Sequence, residues 1–218
     1  MPNWVTHRCT VLAGDCPFRD QGEALDFNRI VPMPEELKID EILPYHLEER
    51  VVKAASTEDP EAAIETESLQ EEERAIAFRL LGNLRRFGYA SWYSWSCAHW
   101  GTQWNACGTP CERDSESVFH FVTAWATPEP LFQAIATKYS NLIAMVEYAD
   151  QILGQSVGIY RLDEGNLTHE DLTGTVEGRD LAYELNQVTP FWCARCDDRR
   201  EAIENDPWAC NVCGGQLA

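Results

Sequence analysis

The sequence predicts an α+β protein: an antiparallel sheet with helices packed on one face, followed by a small four-cysteine module. Three observations carry this. Strand-like runs recur at residues 4–12, 118–125 and 142–148. Amphipathic stretches lie between them, at 71–87 and 129–139. Two Cys-x-x-Cys pairs, Cys193/Cys196 and Cys210/Cys213, stand near the end.

The elements follow in chain order. Residues 4–12 are rich in β-branched side chains and are followed by Gly14-Asp15, the pattern of a strand and its turn. Residues 26–37 contain Pro32 and Pro34, which suit an extended or turning segment and not a helix interior. In 71–87, Ala75, Ile76, Phe78, Leu80, Leu81, Leu84 and Phe87 form a stripe of helical period, and Gly88 ends it. A further short strand is expected near 102–107. Residues 118–125 alternate, placing Phe119, Phe121 and Thr123 on one face of a strand, with that set or the opposite one buried. Pro128 and Pro130 open the helix at 129–139, and 142–148 reads as a buried strand. Asp163-Glu164-Gly165-Asn166 is a hairpin turn between 157–162 and a strand from 167 onward. The polar, mixed stretch 172–185 reads as a short strand and a linker. The expected order is βαββαβ, with helices on one face of the sheet.

Charge is distributed unevenly. The chain has 218 residues, with 17 Lys plus Arg against 36 Asp plus Glu, a net of −19. Duplex-DNA binding of a general kind is disfavoured, because neutralising phosphates needs a cationic surface. Residues 35–73 hold 14 acids and 3 bases, so more than half of the net charge sits there. That run reads as a solvated, partly helical insertion, with Pro60 starting a helix after the Thr57-Glu58-Asp59 turn. A sharper reading is an anionic surface that imitates nucleic acid. No apolar run approaches the ~18 residues of a membrane span. Residues 1–15 lack a charged start followed by an apolar run, so no export signal is expected and the cytoplasm is the expected location.

Of nine cysteines, the last four have the spacing of a metal site. Two residues between thiols let one tight turn aim both sulfurs at one ion, and two such turns supply a tetrahedral set. Gly214 suits the positive φ that such a turn wants, and Trp192 and Trp208 precede the two pairs. One structural zinc is the expected occupant; four thiolates also suit iron, which spacing does not separate. A closed site of this kind has no open coordination position for catalysis, and a module this small needs its metal to fold.

Residues 74–111 contain no Asp or Glu but hold Arg74, Arg79, Arg85 and Arg86 beside six Trp and Tyr. The main expectation is that these aromatics fill the core. The alternative is an anion or ligand surface formed by Arg85, Arg86, Trp92, Trp100 and Trp104, able to stack bases or nucleotides. Cys97, His99, Cys107 and Cys111 are a candidate second metal set, with poor spacing in its first pair; buried thiols and a surface histidine are the plainer reading. Phosphate-binding loops, HExxH, G-x-S-x-G and dinucleotide fingerprints are absent, so the sequence lends an enzyme no support.

Five ordered motifs carry a resemblance: Met1-Pro-Asn-Trp-Val-Thr, Asp26-Phe-Asn-Arg-Ile-Val-Pro-Met-Pro-Glu-Glu-Leu, Trp92-Tyr-Ser-Trp, Trp100-Gly-Thr-Gln-Trp-Asn-Ala and Phe121-Val-Thr-Ala-Trp-Ala-Thr-Pro. Over residues 1–162 the chain resembles the YubB-type ferredoxin-like domain family, a domain of unknown function found on plasmids, prophages and phages. The resemblance implies a ferredoxin-like sandwich and a mobile-element origin. It implies no activity and transfers no catalytic residues. Cys97, Cys107, Cys111 and the zinc-ribbon tail depart from the family pattern. The expected organisation is a ferredoxin-like domain at 1–185, carrying the acidic insertion at about 35–73, and a four-cysteine zinc ribbon at 186–218. The expected function is non-enzymatic: binding a host or phage protein through the acidic surface, for example to inhibit a defence or nucleic-acid-processing factor. The alternative is nucleic-acid or nucleotide binding through 74–111 and the ribbon.

Overall fold

A computed structural model describes residues 2–18, 25–38, 45–106, 117–200, 202–203 and 206–214. Five strands, β1 (Trp4–Ala13), β2 (Val118–Ala124), β3 (Ile143–Asp150), β4 (Val157–Asp163) and β5 (Asn166–Asp171), form one antiparallel sheet in the order β2-β1-β3-β4-β5. Both β2 and β3 run antiparallel to β1, with Val5 opposite Thr123 on one side and Asp150 on the other. They are therefore parallel to each other, and α5 (Glu129–Lys138) joins them across β1. This split β-α-β unit is the signature of a ferredoxin-like sandwich.

Alternation decides the faces. Val5, Cys9, Phe119, Phe121, Val146, Tyr160 and Leu162 turn inward, and Leu131, Phe132 and Ile135 of α5 close over them. Of the two sets offered by β2, the buried one is Phe119, Phe121 and Thr123. α4 (Trp92–His99) packs on the same side, contributing Trp95, with Trp100 just beyond it. Gly101 (φ +84°) permits the close approach of the two helices, since a Cβ there would stand 2.5 Å from Pro130 Cδ.

Three expectations are corrected. Residues 101–106 are a series of bends, with no strand in place of the one expected near 102–107; position 107 itself lies outside the described residues. The polar stretch after β5 is no linker: it forms α6 (Val176–Leu185), capped by the Thr175 hydroxyl, which accepts from Gly178 N at 2.9 Å. Leu181, Ala182 and Leu185 then pack on Ala149, Val157 and Leu172, so α6 covers the sheet face opposite α5. Helices consequently lie on both faces, not on one alone.

The acidic run forms helices of its own. α1 (Tyr45–Ala55) and α2 (Pro60–Glu65) pack on α3 (Glu71–Phe87) around Leu47, Val51, Ile64, Leu80 and Leu81, a core separate from that of the sheet. Asp59 caps α2, accepting from Ala62 N at 3.0 Å, with Pro60 in the first turn. α3 starts with a capping box between Gln70 and Glu73 and stops at Gly88 (φ +78°). Short hairpins finish the chain: β6 (Phe191–Cys193) pairs with β7 (Asp198–Arg200), and β8 (Ala202–Ile203) with β9 (Asp206–Cys210).

Candidate metal centre

The two Cys-x-x-Cys turns face each other at the ends of β6 and β9. Each turn is followed by a residue in the left-handed region, Asp197 (φ +53°) after the first and Gly214 (φ +65°) after the second. Gly and Asp are residue types that accept this conformation, which lets the chain fold back under its own thiols. Gly214 N donates to Cys210 O at 2.9 Å, and Val212 N donates to Cys210 Sγ at 3.4 Å.

The four Sγ atoms of Cys193, Cys196, Cys210 and Cys213 lie within 4.8 Å of one another. Cys193 and Cys213 are 3.5 Å apart, Cys196 and Cys210 3.8 Å. A sulfur tetrahedron with metal–sulfur bonds of ~2.3 Å has edges of ~3.8 Å, so the set already has the size of a four-thiolate cage. Cys193 and Cys210 are fully buried. Burial pushes the Cys210 thiol up, but N–H groups of Cys213 and Val212 and the neighbouring thiols outweigh it and bring the value down to about 6. That is the direction a metal-ligating thiolate requires. Among the described residues this is the one group of three or more potential ligands close enough to share an ion. The side chains of Trp192 and Trp208 lie outside the described residues.

The sequence offers two further candidates. Cys107 and Cys111 fall outside the described residues. Cys97 and His99 sit two positions apart on α4, where side chains diverge. Burial raises the Cys97 thiol, the opposite of what a nucleophile needs. The His99 ring stacks on Trp95 at 4.4 Å, and burial lowers its pKa. Arg85 is gripped by both oxygens of Glu61, and Arg86 pairs with Glu36 at 2.7 Å while lying over Phe87. Trp100 is buried, its indole N–H donating to Val31 O at 3.0 Å, and half-buried Trp92 packs against the core. Of the five residues read as an anion or ligand surface, both arginines are thus paired with carboxylates, Trp100 is buried, and Trp104 is the exposed aromatic.

Two features had no sequence signal strong enough to name them. His7 is wholly buried at the sheet centre, stacked on Phe121 at 4.5 Å. Tyr148, Tyr160 and His169 line one sheet face on neighbouring strands: the Tyr148 hydroxyl meets His169 Nε2 at 2.8 Å, and Tyr160 donates to Glu129 at 2.9 Å. Alternate positions on β3, β4 and β5 could have exposed this cluster only with the register in hand.

Residues 99–192 match a family model described as a ferredoxin-like domain in Api92-like protein. The matched segment holds four of the five sheet strands, β2 to β5, with α5 and α6, while β1 lies outside it; the description agrees with the ferredoxin-like fold. No curated protein and no solved structure matches the chain. No helix among the described residues is long and apolar enough to cross a membrane.

Proposed function

We propose that this protein is a non-enzymatic binding protein of a mobile genetic element, working in the cytoplasm. It engages a host or phage protein through the acidic surface of the run at 35–73, and Cys193, Cys196, Cys210 and Cys213 hold one structural zinc ion. The carrying observation is that the acidic run folds around a core of its own, so its carboxylates stand on a fixed surface and not on a loose insertion. Over residues 45–87 ten Asp and Glu outnumber six Lys and Arg, and Arg50 pairs with Glu67, Arg74 with Glu65, Arg85 with Glu61 and Arg86 with Glu36. An approaching partner therefore meets the excess negative charge, which favours a basic surface.

The zinc assignment is supported by the ligand chemistry: four thiolates at tetrahedral spacing leave no open position and suit a structural ion. Nucleic-acid binding loses its main support, because Arg85 and Arg86 are engaged by carboxylates. The test is affinity capture from bacterial lysate at low and moderate salt, comparing the wild type with a Glu58→Lys/Glu71→Lys/Glu72→Lys variant. A protein retained by the wild type and lost by the variant supports the reading; identical capture by both removes it. Native mass spectrometry of the purified chain should show one zinc per molecule.

A further inference from the structure

Trp104 and Trp125 are 39% and 44% exposed, and their tilted rings meet at 4.8 Å with an interplanar angle of 58°. The second of them is held in an unfavourable conformation. Trp125 has φ +63°, and Ala126 N donates across it to Ala124 O at 2.9 Å, the three-residue turn of positive φ. That turn is rare and strained, and a bulky side chain in the left-handed region is an outlier. The fold fixes it from both sides: Trp125 N donates to Asn3 O at 2.8 Å, and Thr123 Oγ1 to Ala126 O at 2.7 Å. On the other arm, Thr102 Oγ1 donates to Trp104 O at 2.6 Å, and Ser96 Oγ to Gln103 O at 2.8 Å. Strain and exposed aromatic surface concentrated at one point are the marks of a ligand site.

We infer that the Trp104/Trp125 pair is a binding site for an arginine or lysine side chain presented by a basic segment of a partner protein. Charge decides the class of ligand. Residues 2–6, 99–106, 122–130 and 149–153, the segments flanking the pair in the chain and across the sheet, contain no Lys or Arg, and their formal charges are Glu129 and Asp150. Asp26 joins them through Asn105, whose Nδ2 donates to it at 2.7 Å. Among the described residues no Lys or Arg stands over either ring. A phosphate-bearing ligand finds no counter-charge there, in a chain of net −19. A cation finds two indole faces, the best of the aromatic acceptors, within the ~6 Å at which the ring quadrupole attracts it. The site is separate from the acidic lobe, and the inference extends the protein-binding reading to a second surface.

The test uses the full chain and an (Arg-Gly)5 peptide, followed by tryptophan fluorescence and calorimetry, with (citrulline-Gly)5 as the neutral analogue. The arginine peptide should bind at least fivefold more tightly than the citrulline one. Trp104→Ala and Trp125→Gly should each weaken it at least fivefold, while Trp125→Phe, which keeps an aromatic face, should retain most of it. Glycine accepts the positive φ, so Trp125→Gly should keep the wild-type circular dichroism spectrum; Trp104→Ala tests the site independently of that turn. The lobe variant Glu58→Lys/Glu71→Lys/Glu72→Lys should change the peptide affinity less than twofold. Loss of binding in the lobe variant with retention in both tryptophan variants would overturn this site and leave the acidic-lobe reading standing. Equal binding of the citrulline peptide, or tryptophan-dependent binding of a (dT)10 oligonucleotide in its place, would overturn the cationic assignment.

Discussion

His7 occupies a position that an aliphatic or aromatic side chain normally fills. It is 0% exposed, flanked by the rings of Phe121, Phe132 and Tyr148, and neither ring nitrogen makes a hydrogen bond of normal geometry. Burial holds the imidazole neutral and depresses its pKa from 6.5 to about 3, with the backbone at Phe121 and Val5 offsetting only part of that. In the unfolded chain the ring takes a proton below pH 6.5, whereas in the folded chain it stays neutral until about pH 3. Between those values the unfolded state binds more protons, so acid favours unfolding, by ~1.4 kcal/mol per pH unit at most. Denaturant titrations at pH 7 and pH 5 should therefore show a stability loss that is smaller in His7→Leu, by ~1–2 kcal/mol in the difference between the two pH values. Equal pH dependence in the two proteins would show that His7 does not titrate as its burial requires. Alternation along β1 puts His7 on the buried face with Val5, Cys9 and Val11, but the rings around it were not legible, because ring packing depends on cross-strand register that one strand does not reveal.

Elements marked by local chemistry were the readable ones. α3 coincides with its expected span because its apolar stripe, acidic start and terminal glycine all belong to the helix itself. The β4–β5 hairpin was readable for the same reason: Glu164 (φ +48°) and Gly165 (φ +82°) make the turn within the dipeptide. α6 was hidden because its burial rests on Ala149 and Val157, which the chain brings to it only through the sheet. Conversely, residues 101–106, expected to be a strand, are held by side chain to main chain bonds, Thr102 to Trp104 and Ser96 to Gln103, which leave no ladder to join. The four-cysteine module was legible by spacing alone, since a turn of two residues fixes where both sulfurs point. Its described buried side chains are Cys193 and Cys210, packed with half-buried Cys196 and Cys213. With thiols in place of an apolar core, metal removal should unfold residues 191–214 and leave the five-stranded sheet intact. Hydrogen exchange after treatment with a chelator should rise across β6–β9 and stay unchanged in β1 and β3, and Cys210→Ser should reproduce the pattern. The module also leans on the body: Arg179 of α6 donates twice to Asp198 of β7, at 2.5 and 2.8 Å. Arg179→Ala should therefore keep the metal, which separates docking of the module from its folding. Exchange that rises equally in the sheet would contradict independent unfolding.

At the scale of the whole molecule, two electrostatic effects oppose each other. The chain carries −19, with −11 of it within residues 35–73, so folding gathers like charges that the extended chain keeps apart. Against this stand ion pairs of the kind Arg85–Glu61, Arg86–Glu36 and Arg161–Glu170, whose side chains are 46–66% exposed. Exposed pairs of this kind are worth ~0–1 kcal/mol each and are themselves weakened by salt. The better-shielded exception is Arg8, which meets Glu147 through two hydrogen bonds, at 2.6 and 2.9 Å, on the α6 face of the sheet. The hydrogen bond to Glu147 raises the Arg8 pKa further, so the guanidinium stays charged at any working pH. Salt shortens the range of both effects, with a Debye length of ~10 Å at 0.1 M and ~3 Å at 1 M. The repulsion acts over many separations of that length, while the pairs act at contact, so screening removes more repulsion than attraction. Raising NaCl from 20 to 500 mM should increase the melting temperature by ~3–6 °C, the shift that ~1–2 kcal/mol produces in a chain of this size. The effect should shrink in a Glu58→Gln/Glu71→Gln/Glu72→Gln variant, which thins the charge without adding cations. Chloride is the salt to use, because sulfate stabilises folded proteins irrespective of their charge. A melting temperature that falls with NaCl would mean that the ion pairs, and not the surplus of carboxylates, dominate the electrostatics of the fold.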